Sequence, residues 1–293
     1  MVEIPAKRFR IDDPENFRLA KIDPADTCGL DLDKAEAKAI LAGDIQRLAD
    51  LQQRLYAADS WAILIVLQAL DAAGKDGVIK HVMSGLNPQG CEVHSFKVPS
   101  SEELDHDFLW RAAQRLPSRG RIGIFNRSHY EEVLVVRVHE DGLARERLPP
   151  SLVHKNIWKR RFKSIRGFER HLARNGTVVL KFFLHISKEE QKRRFLARLE
   201  EPGKQWKFST SDFAERKLWD QYLTAYDDAI RETSRPHAPW YVIPADHKPM
   251  ARLLVAKAII DALEGLDLQF PEIDGTQLKE LEKIHRALLA KKS

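Results

Sequence analysis

Residues 61–77 read WAILIVLQALDAAGKDG, and the reading of the junction inside that stretch decides the fold. From Trp61 to Ala69 only Gln68 is polar. A short apolar run that ends in a turn suits a strand buried on both faces of a parallel sheet, and it is too short for the roughly 20 residues of a membrane helix. LDAAGKDG then turns the chain, and VIKHV continues as a helix. The free N–H groups and the dipole at the start of such a helix favour an anion.

Three more apolar runs are expected as strands: RIGIFN (121–126), TVVLKFFLHI (177–186) and WYVIPA (240–245). Helical segments alternate with them. Residues 30–59 carry Ile45, Leu48, Leu51 and Leu55 at helical spacing. Residues 100–117 open with Ser100 and Glu103 at capping-box spacing and stop before Pro117; 187–200 repeat the box with Ser187 and Glu190. A helix from Ser151, after Pro149 and Pro150, ends at Asn175 and Gly176. This order predicts an α/β fold, a parallel sheet with helices on both faces. We expect an extended N-terminal arm over 1–29, with Pro5, Pro14 and Pro24, then one domain over 30–270 and a C-terminal helix over 271–293. Both ends are free for subunit contacts.

The 293 residues are 43% hydrophobic, enough for one large core or two small ones, and 31% charged with a net charge of +5 and a pI near 9.1. That balance favours a polyanionic partner and leaves nucleic acid, phosphates and membrane surfaces open. Cys28 and Cys91 lack metal or disulfide spacing and read as reduced thiols. MVEIPAKRFR has no apolar signal-peptide core, so a soluble, cytoplasmic protein is expected.

Set against the phosphate-loop pattern GxxxxGK[ST], the turn has Gly74 and Lys75, followed by Gly77, but Ala69 replaces the first glycine and Asp76 the hydroxyl. Asp71 adds a carboxylate beside the expected phosphates, where it is repulsive unless a cation such as Mg²⁺ lies between them. An Asx-type turn accounts for Asp71 equally well. The second cluster is IFNRSHYEEVLVVRV (124–138), which puts Asn126, Arg127, His129 and Glu131 at a strand end, with Arg137 further on. Arginine there can neutralise a transferring phosphoryl group, although a surface ion pair is its plain alternative. His129 and Tyr130 read better as packed residues. The third feature is basic charge. Residues 151–174 carry eight Lys or Arg against Glu169 alone, and the next helix and loop add Arg194, Arg198, Lys204 and Lys207, with Trp206 in a segment expected to close over phosphates.

Together LDAAGKDG, FNRSHYEEVLVVRV, RRFLARLEEPGKQWKFSTSD and APWYVIPAD resemble the motifs of the family-2 polyphosphate kinases, from about Leu30 to Phe270. The resemblance implies a P-loop kinase-like, thymidylate-kinase-like fold with a helical lid over about 188–215. It implies Mg²⁺ at Asp71, with Mn²⁺ as a substitute. The phosphates would be held by Lys75 and the loop positions Ala72, Ala73, Gly74, Asp76 and Gly77. Arg127 and Arg137 would stabilise the transferring group, Asn126 would join the nucleotide site, and Arg194, Arg198, Lys204 and Lys207 would clamp from the lid. The basic face of 151–174 would extend the polymer channel.

Many members read DRS and then an asparagine in the second motif; Asn126 and Glu131 here resemble instead the subgroup that accepts both AMP and ADP. Glu131 is assigned to metal or acceptor placement. The implied reaction is reversible phosphoryl transfer from inorganic polyphosphate to AMP and ADP, forming ADP and ATP, with guanine nucleotides as open alternatives. The family suggests a homo-oligomer, often a tetramer, with neither membrane nor nucleic-acid partners. Rival readings are transfer to ADP alone, an ATP-dependent nucleotide kinase, and a basic nucleic-acid-binding module.

Overall fold

The computed structural model describes residues 2–139 and 141–290, without the side chain of Lys207. The expected C-terminal helix therefore reaches past the described residues at its end. In chain order the long elements are α1 (Lys34–Ala58), β1 (Ala62–Ala69), α2 (Lys75–Val82), β2 (Cys91–Ser95), α3 (Ser101–Asp105), α4 (Trp110–Ala113), β3 (Ile122–Asn126) and α5 (Val135–Val138). They continue with α6 (Ile157–Arg174), β4 (Thr177–His185), α7 (Lys188–Glu200), α8 (Thr210–Glu215), α9 (Trp219–Thr233), β5 (Trp240–Pro244), α10 (Lys248–Glu264) and α11 (Gly275–Ala290).

The five strands form one sheet in the order β2-β3-β1-β4-β5, parallel throughout. All eight residues of β1 are buried, as its apolar run requires, and its neighbours register through Ile65 opposite Ile124 on β3 and Leu180 on β4. Helices α1, α2 and α10 pack together, and α6 with α9. After β3 the chain crosses to the far side of β1, so the carboxyl ends of β1 and β3 open onto the crevice where parallel sheets bind ligands.

The four expected strands are present. The fifth, β2, is an edge strand whose Glu92, Val93 and Ser95 are exposed; it carries no apolar run and owes its place to pairing with β3.

Three helices differ from expectation for local reasons. The segment 100–117 keeps its Ser100–Glu103 capping box but breaks into α3 and α4, because the Asp107 carboxylate accepts from the Leu109 N–H and competes with the helix. Helix α6 starts at Ile157 rather than Ser151: Pro150 leads a single 3₁₀ turn, Pro150–Leu152, and His154 Nδ1 accepts from the Asn156 N–H. At α7, Ser187 Oγ caps the Glu190 N–H, but the reciprocal half of the box is absent. The Ser187 N–H goes to Asp246, while the Glu190 carboxylate holds Arg193 and Arg194.

The N-terminal segment lies on its own chain. The Ile11 N–H donates to the Trp240 carbonyl at 2.8 Å, and Ile4, Phe9, Phe17 and Leu19 are buried. It covers the exposed edge of β5, which would otherwise invite pairing with another sheet.

Candidate active site

Strand β1 delivers the turn Leu70–Gly74 to the carboxyl edge of the sheet. Gly74 closes it at φ 110° and caps α2, a conformation that an L side chain adopts only under strain. Ala72 takes φ 61°. With the chain reversed this sharply, the unpaired N–H groups of the first turn of α2 point into the crevice. Lys75 folds back over the turn and donates from Nζ to the Ala69 carbonyl at 2.9 Å. Burial lowers its pKa, with the Arg127 charge adding and Asp71, Glu131 and Asp76 opposing.

Strand β3 ends beside the turn. Asn126 donates to Asp76 at 2.9 Å, tying β3 to the first turn of α2. Arg127 stands at φ 63° and lies between two carboxylates, 3.1 Å from Asp71 Oδ1 and 3.1 Å from Glu131 Oε2. The Glu131 charge raises its pKa most; burial opposes and Asp71 adds. The ion pair foreseen as the plain alternative for Arg127 therefore exists, and its partners are two other candidate site residues.

Behind this turn lies a core of polar groups. Lys181, from the middle of β4, donates to Glu169 at 2.6 Å, to the Tyr130 hydroxyl at 2.9 Å and to the Thr233 carbonyl at 2.9 Å, all of its donors used within a fully buried site. His129 and Tyr130 are buried here, as packed residues. Desolvation brings the Lys181 pKa down to about 8, despite Glu169.

Arg194 is placed differently from the anion clamp that the resemblance implies. Its side chain is 5% exposed, and its donors go to Glu190 and to the carbonyls of Ala72, Ala73, Ala245 and Asp246, at 2.6–3.1 Å. It pins the phosphate-side turn to the end of β5. Arg198 pairs with Asp212 at 3.5 Å, and Lys204 with Glu201; the side chain of Lys207 is not among those described. Arg137 lines neither of the two cavities of the site; its Nη2 donates to Asp228 on α9 at 2.6 Å.

Two cavities meet at Arg127 and Lys97. The larger, about 1150 Å³, runs over the turn from Asp71 to Val78 and beneath α7. Nine Lys and Arg side chains line it against the carboxylates of Asp71, Asp76 and Asp212. Lys248 and Arg252, at the start of α10, belong to this basic wall and were missed from sequence because nothing in their local pattern marks them. No residue of 151–174 lines it, and two of the basic residues there are engaged elsewhere: Arg161 with Glu132 and Glu146, and Arg166 with Glu232. The smaller cavity, about 340 Å³, lies on the other side of Arg127. It mixes Val98, Leu104, Phe108 and Val135 with six carboxylates, among them Glu103, Glu131, Glu132 and Glu146, against four Lys or Arg.

A parallel sheet ordered 2-3-1-4-5, a strained glycine turn feeding a helix N-terminus, and an arginine at the adjacent strand end define a P-loop kinase-like phosphotransferase fold. The polyphosphate kinase 2 family matches residues 31–271, and the chain belongs to that family. It is 50% identical over 289 residues to the ADP-polyphosphate phosphotransferase of Rhodopseudomonas palustris, spanning 98% of this chain and 100% of that one. To the AMP/ADP-polyphosphate phosphotransferase of Meiothermus ruber it is 47% identical over 266 residues, 91% and 96% of the two chains. The crystal structure of polyphosphate kinase 2 from Arthrobacter aurescens superposes with a TM-score of 0.87 at 41% identity, covering 99% of this chain and 97% of that one.

Proposed function

We propose that this protein transfers the terminal phosphoryl group of inorganic polyphosphate to AMP and to ADP, forming ADP and ATP, and that it runs reversibly. The observation that carries the reading is the charge contrast between the two cavities joined at Arg127. The basic cleft over the turn suits a polyanion with about one charge per phosphate; the smaller pocket, richer in carboxylates and partly apolar, suits an uncharged nucleoside. Donor and acceptor would then meet where Arg127 already sits.

Both substrates arrive as anions, so neutralisation and alignment do most of the work. Lys75 and the first-turn N–H groups of α2 hold the donor's terminal phosphates. Arg127, oriented by Asp71 and Glu131, swings between those carboxylates and the transferring group. The acceptor phosphate oxygen is already ionised at neutral pH, so Glu131 positions Arg127 and the acceptor rather than removing a proton.

Among the described residues no group of three or more His, Cys, Asp or Glu could hold a metal by itself. Mg²⁺ needs no such cage, because it binds through one or two carboxylates with water and substrate phosphates completing the shell. Asp71, which spends one oxygen on Arg127, fits that role. Bound there, Mg²⁺, or Mn²⁺ in its place, would offset phosphate charge.

Among the described residues no helix is long and apolar enough to cross a membrane; a cytoplasmic location is part of the proposal and follows from the nucleotide substrates. So is a homo-oligomer, supported by the exposed apolar stripe Leu278, Leu281, Ile284 and Leu288 on α11.

The test is nucleotide formation by the purified protein from AMP, and separately from ADP, with polyphosphate and Mg²⁺ and without ATP. ADP followed by ATP from AMP supports the whole reading. ATP from ADP alone rejects the AMP part, and product only when ATP is supplied rejects the polyphosphate donor.

A further inference from the structure

The acceptor pocket contains a group of buried charges that phosphoryl transfer leaves unused. Glu132, in the turn after β3, and Glu146, after α5, both approach one guanidinium, that of Arg161 on α6. Glu132 Oε1 is 2.8 Å from Arg161 Nε and Glu146 Oε2 is 2.6 Å from Arg161 Nη2. The three side chains are 6%, 14% and 12% exposed, and the Phe108 ring lies 4.5 Å from the guanidinium carbon. Glu146 Oε1 has no hydrogen-bond partner, and Glu132 Oε1 has the Arg161 ion pair without hydrogen-bond geometry, although both residues line the cavity.

Such an arrangement is costly. Two carboxyl groups cannot both ionise against one buried cation without a penalty, and an apolar replacement of similar volume would be no less stable. A buried oxygen without a hydrogen bond adds to the penalty, and a ligand N–H entering between the two carboxyl groups would relieve it. We propose that Glu132, backed by Glu146 and Arg161, reads the base of the acceptor nucleotide by hydrogen-bonding the exocyclic amino group of a purine. This rests on the reading that the acceptor nucleoside occupies the smaller cavity.

The chemistry fits adenine. Burial, opposed by Arg161 and reinforced by Glu146, raises the Glu132 carboxyl to about 8. A carboxyl that keeps its proton offers an acceptor and a donor side by side. Adenine presents the complement, an amino donor beside a ring-nitrogen acceptor, as it does to Asn or Gln in nucleic-acid recognition. The aliphatic wall of Val98, Leu104 and Val135 would cover the faces of the ring.

The test compares kcat/KM for AMP with that for purine riboside 5′-monophosphate, which lacks only the amino group, at saturating polyphosphate. The wild-type protein should favour AMP by about tenfold or more, since a site built around a substrate N–H discriminates against the analogue without it. In Glu132→Met the preference should collapse to within about twofold through a loss on AMP alone, while Glu132→Gln, which keeps a donor and an acceptor, should retain it. Equal use of the two nucleotides by the wild type overturns the proposal even if Glu132→Met does not fold, and so does an unchanged preference in that variant. Should polyphosphate prove not to be the donor, no product forms with either nucleotide. Calorimetric binding of the same two nucleotides to wild type and Glu132→Gln then decides the matter, with equal affinities overturning it.

Discussion

Replacing Arg194 with Met separates two roles that sequence cannot tell apart. As an anion clamp, Arg194 would lose little stability on substitution and would raise the KM for polyphosphate. As placed, it holds Glu190 and four main-chain carbonyls, two from the phosphate-side turn and two from the end of β5, in a site 5% exposed. Met fills the volume but donates nothing. Glu190 keeps Arg193, whereas the carbonyls lose a donor with little room for water. A buried polar group left without its partner costs about 1–3 kcal/mol, so about 3–5 kcal/mol is expected over the four carbonyls, two of which are only partly buried. For a chain of this size that corresponds to a fall in Tm on the order of 10 °C. The turn carrying Asp71, Ala72 and Ala73 would loosen too, so kcat should drop at least tenfold, as misplacing reacting groups by about 1 Å commonly does. The assays are thermal unfolding and steady-state kinetics with polyphosphate varied. Unfolding within about 2 °C of wild type, together with a raised polyphosphate KM and an intact kcat, would refute the stapling role and restore the clamp.

Three further outcomes follow from the same geometry. Gly74→Ala meets only an ordinary 3.7 Å contact with Arg194 Nη1, but its φ of 110° remains strained for alanine; stability should fall by about 1–2 kcal/mol and turnover far more, as unfolding and activity measurements on one preparation would show. Lys248→Ala and Arg252→Ala should each raise the KM for polyphosphate severalfold at low salt, with the difference shrinking as NaCl screens the cleft; a salt-independent effect would remove these residues from the donor path. The Glu132 carboxyl, raised to about 8 from an ordinary 4.5, binds more protons folded than unfolded between those values. Its contribution is therefore complete below about pH 4.5 and lost as pH rises through about 8. Glu132→Gln should gain Tm relative to wild type between pH 5 and pH 8.5, and parallel Tm profiles would count against that protonation state.

Much of the site was legible because its residues lie near one another in sequence. Asp71, Gly74 and Lys75 belong to one turn, and Asn126, Arg127 and Glu131 to another, so spacing alone groups each set. The sheet-edge rule then puts the two turns side by side, as the Asn126–Asp76 and Arg127–Asp71 contacts record. The wall of the cleft was less legible. Lys248 and Arg252 come from a helix that follows the last strand, and their charge looks like any solvated helical charge until α10 docks beside α2. Two residues of the basic face of α6 are placed away from the cleft. The charges of that face are conspicuous in sequence, yet Glu132, Glu146 and Glu232 lie in other segments, and only folding brings them against Arg161 and Arg166.

The sequence by itself determined the strands that are buried on both faces, because an unbroken apolar run has little alternative, and it determined the turn that a glycine and a helix start enforce. Only the tertiary structure decided where the charges go. A lysine or arginine has the same local pattern whether it faces phosphate or another strand's carboxylate, and its partner is chosen by contacts between residues far apart in the chain. That is why Lys181, inside a run expected only as an apolar strand, proved to be the buried hub behind Tyr130, and why Arg194, expected as a clamp, holds the backbone of the turn itself.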